Sequence, residues 1–146
     1  MTRPLNFTKQ CCGASLLEVL IALVVVSIGL LGMASLQLSA MKDNQVALEH
    51  TQASSLAYEA LDLMRASRQQ ALSGSYDLPL GISAPSGTSI PAVDLQTWKN
   101  HLALSLPNGD GGIIRNGNSV VTIIIKWNES RSGGDTNKQF VFTSEL

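Results

Sequence analysis

An α+β fold is predicted, in which one long N-terminal helix packs in its second half on a small antiparallel β-sheet. Three observations predict it. An uncharged apolar stretch follows a short basic segment, helical periodicity then continues without Pro or Gly, and the last third alternates apolar and polar residues around a turn signal. At 146 residues and a formal charge of −1, the chain has room for one domain plus an anchor. The near-neutral balance implies neither nucleic acid nor an acidic surface as a partner. The expected divisions are a leader over residues 1–13, an apolar transmembrane helix over 14–41, and a globular domain over 42–146 that includes the second half of the helix.

The leader carries Arg3 and Lys9, which place the start of the chain in the cytoplasm and the remainder across the membrane. Cys11 and Cys12 are adjacent, so their side chains diverge and do not bridge each other. They precede the apolar run, the wrong side for a lipid anchor, and neither a CxxC nor a Cys/His ligand spacing accompanies them.

From Val19 to Met41 there is no Lys, Arg, Asp or Glu. As a helix this stretch spans about 34 Å, enough to cross a bilayer core. A removable secretory signal would have a shorter apolar core and a small-residue cleavage site beyond it, and neither is present. Gly29 and Gly32 interrupt the run; small residues there suit either close helix packing or local loosening.

At the front of the run stands Glu18. A carboxylate entering an apolar membrane segment is costly and demands a positive partner. If the chain is cut after Gly13, the new amino group of Ala14 lies four residues before Glu18, one helical turn away. The helix dipole favours an anion in that first turn. An amine on a neighbouring subunit would serve equally, and a matched pair fixes register where two unpaired charges would be prohibitive.

The segment Lys9-Gln10-Cys11-Cys12-Gly13-Ala14-Ser15-Leu16-Leu17-Glu18 resembles the class III signal of type IV pilins and type II secretion pseudopilins. Gly at the cut, Ala after it and Glu as the fifth residue beyond it match that pattern, although Phe or Met is commoner where Ala14 stands. The resemblance implies cleavage between Gly13 and Ala14 by a prepilin peptidase, which also N-methylates Ala14, and a role for Glu18 in assembly. It implies an apolar helix that serves first as membrane anchor and then as filament core.

Helical spacing continues past Met41. Val46, Ala53, Leu56, Ala57, Ala60, Leu61, Leu63 and Met64 recur every three, four or seven residues, while Glu49, Gln52, Glu59, Asp62 and Arg65 form a polar face. The helix is expected from about Ser15 to about Ala71. Residues 73–93, rich in Gly, Pro and Ser, read as a surface loop. Asp94 is the expected cap of a short helix in which Leu95, Trp98, Leu102 and Leu106 share a face, ending at Pro107. Trp98 reads as core and His101 as rim. Asn108-Gly109-Asp110-Gly111-Gly112 reads as a turn, because neither a following helix nor the bidentate Glu of a calcium loop is present.

Ile113 to Arg115, a turn at Asn116-Gly117, and Asn118 to Trp127 predict a hairpin. Val121, Ile123, Ile125 and Trp127 face one way, with Thr122 and Lys126 on the other side. After a polar loop over 128–137, residues 139–143 supply the third strand of a meander packed on helix residues 46–71. No catalytic constellation is present: His50 and His101 lack the partners of a nucleophile or metal site, so no enzyme, cofactor or metal is expected.

No cysteine follows Cys12, and no Pro interrupts the apolar helix. Major pilins commonly have a C-terminal disulfide and such a Pro, so the chain resembles a minor subunit. More specifically it is similar to PilV-type minor pilins, in Ser15 to Ala22, Ile28 to Gly32, the Trp98 helix ending at Leu106-Pro107, and Lys126-Trp127. The resemblance implies other minor pilins, the major pilin and an inner-membrane assembly platform as partners. It implies a role in initiating or tipping the pilus, with effects on twitching and adhesion. It places the chain in the inner membrane, domain in the periplasm, and then at the cell surface. A minor pseudopilin of type II secretion is the alternative, and a bitopic anchor with an uncut leader is the alternative of another class.

Overall fold

The computed structural model describes residues 15–117 and 119–146. Ser15 opens the long helix α1 (Leu16–Ala66). Its carbonyl accepts the Val19 N–H at 3.2 Å and its hydroxyl accepts the Leu17 N–H at 3.3 Å, the arrangement of an N-cap. The chain divides into two compact units, one ending at Ala40 and the other running Met41–Leu146.

In the first unit every described side chain is exposed. No Pro interrupts the apolar helix there, and the hydroxyl of Ser27 is satisfied within it. Ser27 Oγ donates to the Leu23 carbonyl at 2.7 Å.

Within the second unit α1 buries one stripe: Ala53, Leu56, Ala57, Ala60, Leu61 and Met64. These residues recur at helical spacing and turn toward the sheet. Glu49 departs from the expected polar face and is only 3% exposed. It lies four residues before Ala53, and so on the buried stripe. Its Oε1 accepts from the Gln45 amide at 3.0 Å, and no partner meets Oε2.

α1 stops at Ala66, and a separate short helix, α2 (Arg68–Leu72), replaces the single helix expected to reach Ala71. Ser67 adopts φ −119° and ψ 45° between them. Serine loses little on leaving helical geometry, and beyond the break Ala71 is buried while Arg68 reaches the Leu146 carbonyl at 3.0 and 3.2 Å.

The next helix, α3 (Ile90–Ser105), starts earlier than expected, after Ser89 rather than Asp94. Pro91 sits in its first turn, where a missing N–H costs nothing and a fixed φ helps. Asp94 lies inside the helix and accepts a hydrogen bond from the Tyr76 hydroxyl. Burial, reinforced by that bond, pushes the Tyr76 hydroxyl up to about 12. Leu95, Trp98 and Leu102 are buried, as their spacing predicts, and His101 stays exposed.

Strands β1 (Asp110–Asn116), β2 (Val120–Trp127) and β3 (Lys138–Glu145) form an antiparallel meander in the order β1-β2-β3. On β2, Val121, Ile123, Ile125 and Trp127 are all 2% exposed or less, so the predicted faces hold. The hairpin link differs: Asn116 pairs with Val120, which leaves residues 117–119 as the connection, and Gly117 supplies a φ of 88°. Gly111 and Gly112 belong to β1 instead of the preceding turn. A Cβ on Gly111 would lie 2.5 Å from the Trp98 ring, and one on Gly112 would lie 2.7 Å from the Leu80 nitrogen. The glycines are therefore strand residues crossed at close range. Leu78 bridges Ile113 on the outer side of β1, with hydrogen bonds of 2.9 and 2.7 Å. The result is the expected α+β arrangement, a long apolar helix whose later part packs on a three-stranded sheet.

Candidate functional site at the start of the long helix

Glu18 occupies the first turn of α1, third residue into the helix, and is exposed. Unsatisfied N–H groups and the helix dipole both favour a carboxylate there. The Ser15 cap was not read from the sequence, yet its signal was present. Ser15 and Glu18 stand at the Ser-x-x-Glu spacing that marks a helix start. Gly13 and Ala14 lie outside the described residues, as do Arg3, Lys9, Cys11 and Cys12.

Around Glu18 the surface is apolar. Leu16, Leu17, Val19, Leu20 and Ile21 are each between 47% and 86% exposed, and α1 is long and apolar enough to cross a membrane. A lone carboxylate on such a surface is stable in lipid or in a helix bundle only beside a cation. The chemistry available is recognition of a positive group.

Elsewhere several ionisable groups are paired with one another. His101 Nδ1 lies 2.7 Å from Glu59 Oε1, and His50 Nε2 lies 3.3 Å from Glu129 Oε1. A cleft of about 490 Å³ is lined by Gly81, Gln96, Lys99, Asn100 and Asp110 among others. Its charged groups are engaged, since Asp110 accepts from Lys99 and, at 2.8 Å, from the Gly81 N–H. Burial would raise the Asp110 carboxyl. The bonds from Lys99 and from the Gly111 and Gly81 N–H groups outweigh it and hold the group below the usual range. Among the described residues no group of three His, Cys, Asp or Glu side chains is placed to hold a metal.

Residues 8–34 match the family described as the prokaryotic N-terminal methylation motif. No curated protein and no solved structure matches the chain. The matched segment spans Gly13, Ala14 and Glu18 and runs into the exposed apolar part of α1. The chain carries a prokaryotic N-terminal methylation motif over residues 8–34, the segment in which it resembles type IV pilin- and pseudopilin-like precursors.

Proposed function

We propose that the chain is a minor pilin that initiates assembly of type IV pili or forms part of their tip. The observation that carries this reading is the unbroken course of α1 from Leu16 to Ala66, without the Pro that abundant filament subunits commonly place in the apolar helix. The PilV-type likeness rests on Ser15 to Ala22, Ile28 to Gly32, Trp98, Leu106-Pro107 and Lys126-Trp127; Trp98, Leu106 and Trp127 are core residues here, each 2% exposed or less.

In this reading the precursor sits in the inner membrane with its N-terminus cytoplasmic and residues 42–146 in the periplasm. A prepilin peptidase cuts between Gly13 and Ala14 and methylates Ala14. Glu18 then lies one turn from that amine and pairs with it, or with the amine of an adjacent subunit, as both leave lipid for the helical bundle. Other minor pilins, the major pilin and the assembly platform are the partners.

The processing features serve a minor pseudopilin of type II secretion equally. Deleting the chain in its host and scoring surface pili, twitching and secretion separates the two. Loss of pili and twitching with secretion intact is expected; loss of secretion with normal pili would assign the chain to the secretion machine. Intact mass of the membrane-extracted protein should correspond to a methylated Ala14 start, and a retained leader would instead favour a bitopic anchor.

A further inference from the structure

Hydrolysis of a peptide bond begins at its carbonyl carbon. For the Gly13–Ala14 bond, water adds to the Gly13 carbonyl, the C–N bond breaks, and a proton passes to the departing Ala14 nitrogen. A carboxylate is left on Gly13 and an amine on Ala14. A helix reaching back over this bond would compete with that attack. Each carbonyl in an α-helix accepts from the N–H four residues on, so the Gly13 carbonyl would be tied to the Leu17 N–H. A bond held in helical geometry is denied to a peptidase, whose cleft must surround an extended chain on both sides of the cut.

The structure gives the Leu17 N–H a different acceptor. It donates to the Ser15 hydroxyl at 3.3 Å, and the Val19 N–H donates to the Ser15 carbonyl at 3.2 Å. α1 begins at Leu16, with Ser15 outside helical structure as its cap. Apart from this serine, local propensity favours an earlier start. Leu16 and Leu17 are strong helix formers, Ala14 is of the strongest type, and the first residue that resists is Gly13. Without the hydroxyl, the helix would gain by extending through Ala14 to Gly13. A cap residue offers its carbonyl to the first bond of the helix, and for Gly13 that donor is Leu17. The surroundings sharpen the choice. Leu16 and Leu17 are 86% and 65% exposed, and at an apolar boundary an unbonded N–H is costly. The Leu17 N–H therefore takes either the Ser15 hydroxyl or the Gly13 carbonyl.

We propose that Ser15 is a positioning residue for leader removal. By accepting from the Leu17 N–H, its hydroxyl starts α1 at Leu16 and leaves the Gly13 carbonyl free for hydrolysis. The inference rests on the cut between Gly13 and Ala14 proposed above. It gives the serine a task in the precursor, separate from the pairing of Glu18, which follows the cut.

The test follows loss of the leader over time, by intact mass, in membranes holding the full-length precursor and a prepilin peptidase. Ser15→Ala removes the acceptor and should slow cleavage about five-fold, the factor that corresponds to a typical cap. Ser15→Asn supplies an acceptor of similar capping strength in a different shape and should be cut at close to the wild-type rate. In an Ala14→Gly background Ser15→Ala should cost much less, because the residue through which the helix would extend is then a poor helix former. The core of the domain runs from Ala53 to Trp127, so the domain persists in every variant. Ser15→Ala cut at the wild-type rate overturns the proposal. Ser15→Asn cut as slowly as Ser15→Ala overturns it as well, since the peptidase would then be reading the serine itself. An undiminished effect of Ser15→Ala in the Ala14→Gly background has the same force. A wild-type precursor that keeps residues 1–13 overturns the processing reading and this inference together, whereas the other failures leave that reading standing.

Discussion

Trp98 donates its indole N–H to the Leu56 carbonyl at 2.9 Å, fastening α3 to the backbone of α1. The ring itself is 1% exposed. Trp98→Phe keeps most of the packing and loses the donor, which should cost about 1 kcal/mol. Trp98→Ala should cost about 3–5 kcal/mol. Urea unfolding followed by circular dichroism reads both; unchanged stability in Trp98→Phe would mean that the hydrogen bond contributes nothing.

The domain should fold without the apolar part of α1. Every residue of the hydrophobic core lies between Ala53 and Trp127. A fragment beginning near Asn44 is expected to be soluble, to unfold cooperatively and to ignore reductant, since Cys11 and Cys12 are absent from it. Aggregation of every fragment starting between 42 and 46 would contradict that boundary.

Ile123 and Ile125 are both fully buried. Ile123→Ala or Ile125→Ala should each cost roughly 2–5 kcal/mol, transfer and cavity combined. Thr122→Ala, one position along on the opposite face, should cost much less. Comparable values for all three would mean that the face of β2 has no energetic meaning.

Asp110 ties Lys99 of α3 to the Gly81 N–H, and its carboxyl lies below the usual range. A carboxyl held lower in the folded state adds stability above its unfolded value and loses it as pH falls through the folded one. Stability should therefore decline on the acid side of the usual carboxylate range, and Asp110→Asn should flatten that decline. Unfolding midpoints measured from neutral pH downward test this; an unchanged slope in Asp110→Asn would place the acid sensitivity elsewhere.

Glu18→Val should leave the domain folded and the leader cut while weakening co-purification with partner pilins and reducing surface pili. The acid enters an apolar setting that only a paired charge makes tolerable. Normal co-purification together with normal piliation would falsify the pairing role.

Much of this was legible in the sequence because it is periodic. The buried stripe of α1 and the inward face of β2 follow from spacings of three or four and of two, and both hold. What escaped depended on contacts between distant residues. Ser67 breaks the helix although no Pro or Gly marks the place, because Ala71 and Arg68 are drawn to positions set by the core and by Leu146. Gly111 and Gly112 look like turn residues until Trp98 and Leu80 are laid across them. Glu49 reads as solvent-facing by residue type, yet its phase with Ala53 places it inside. At the site, Glu18 stands out by its charge in an apolar run, whereas the Ser15 cap shows only in the Ser-x-x-Glu spacing.

The Leu78–Ile113 bridge has a consequence for where the sheet can be extended. Adding a strand requires free backbone groups along an edge, and Leu78 already holds both groups of Ile113. The middle of β1 is thus closed to a further strand by the chain itself.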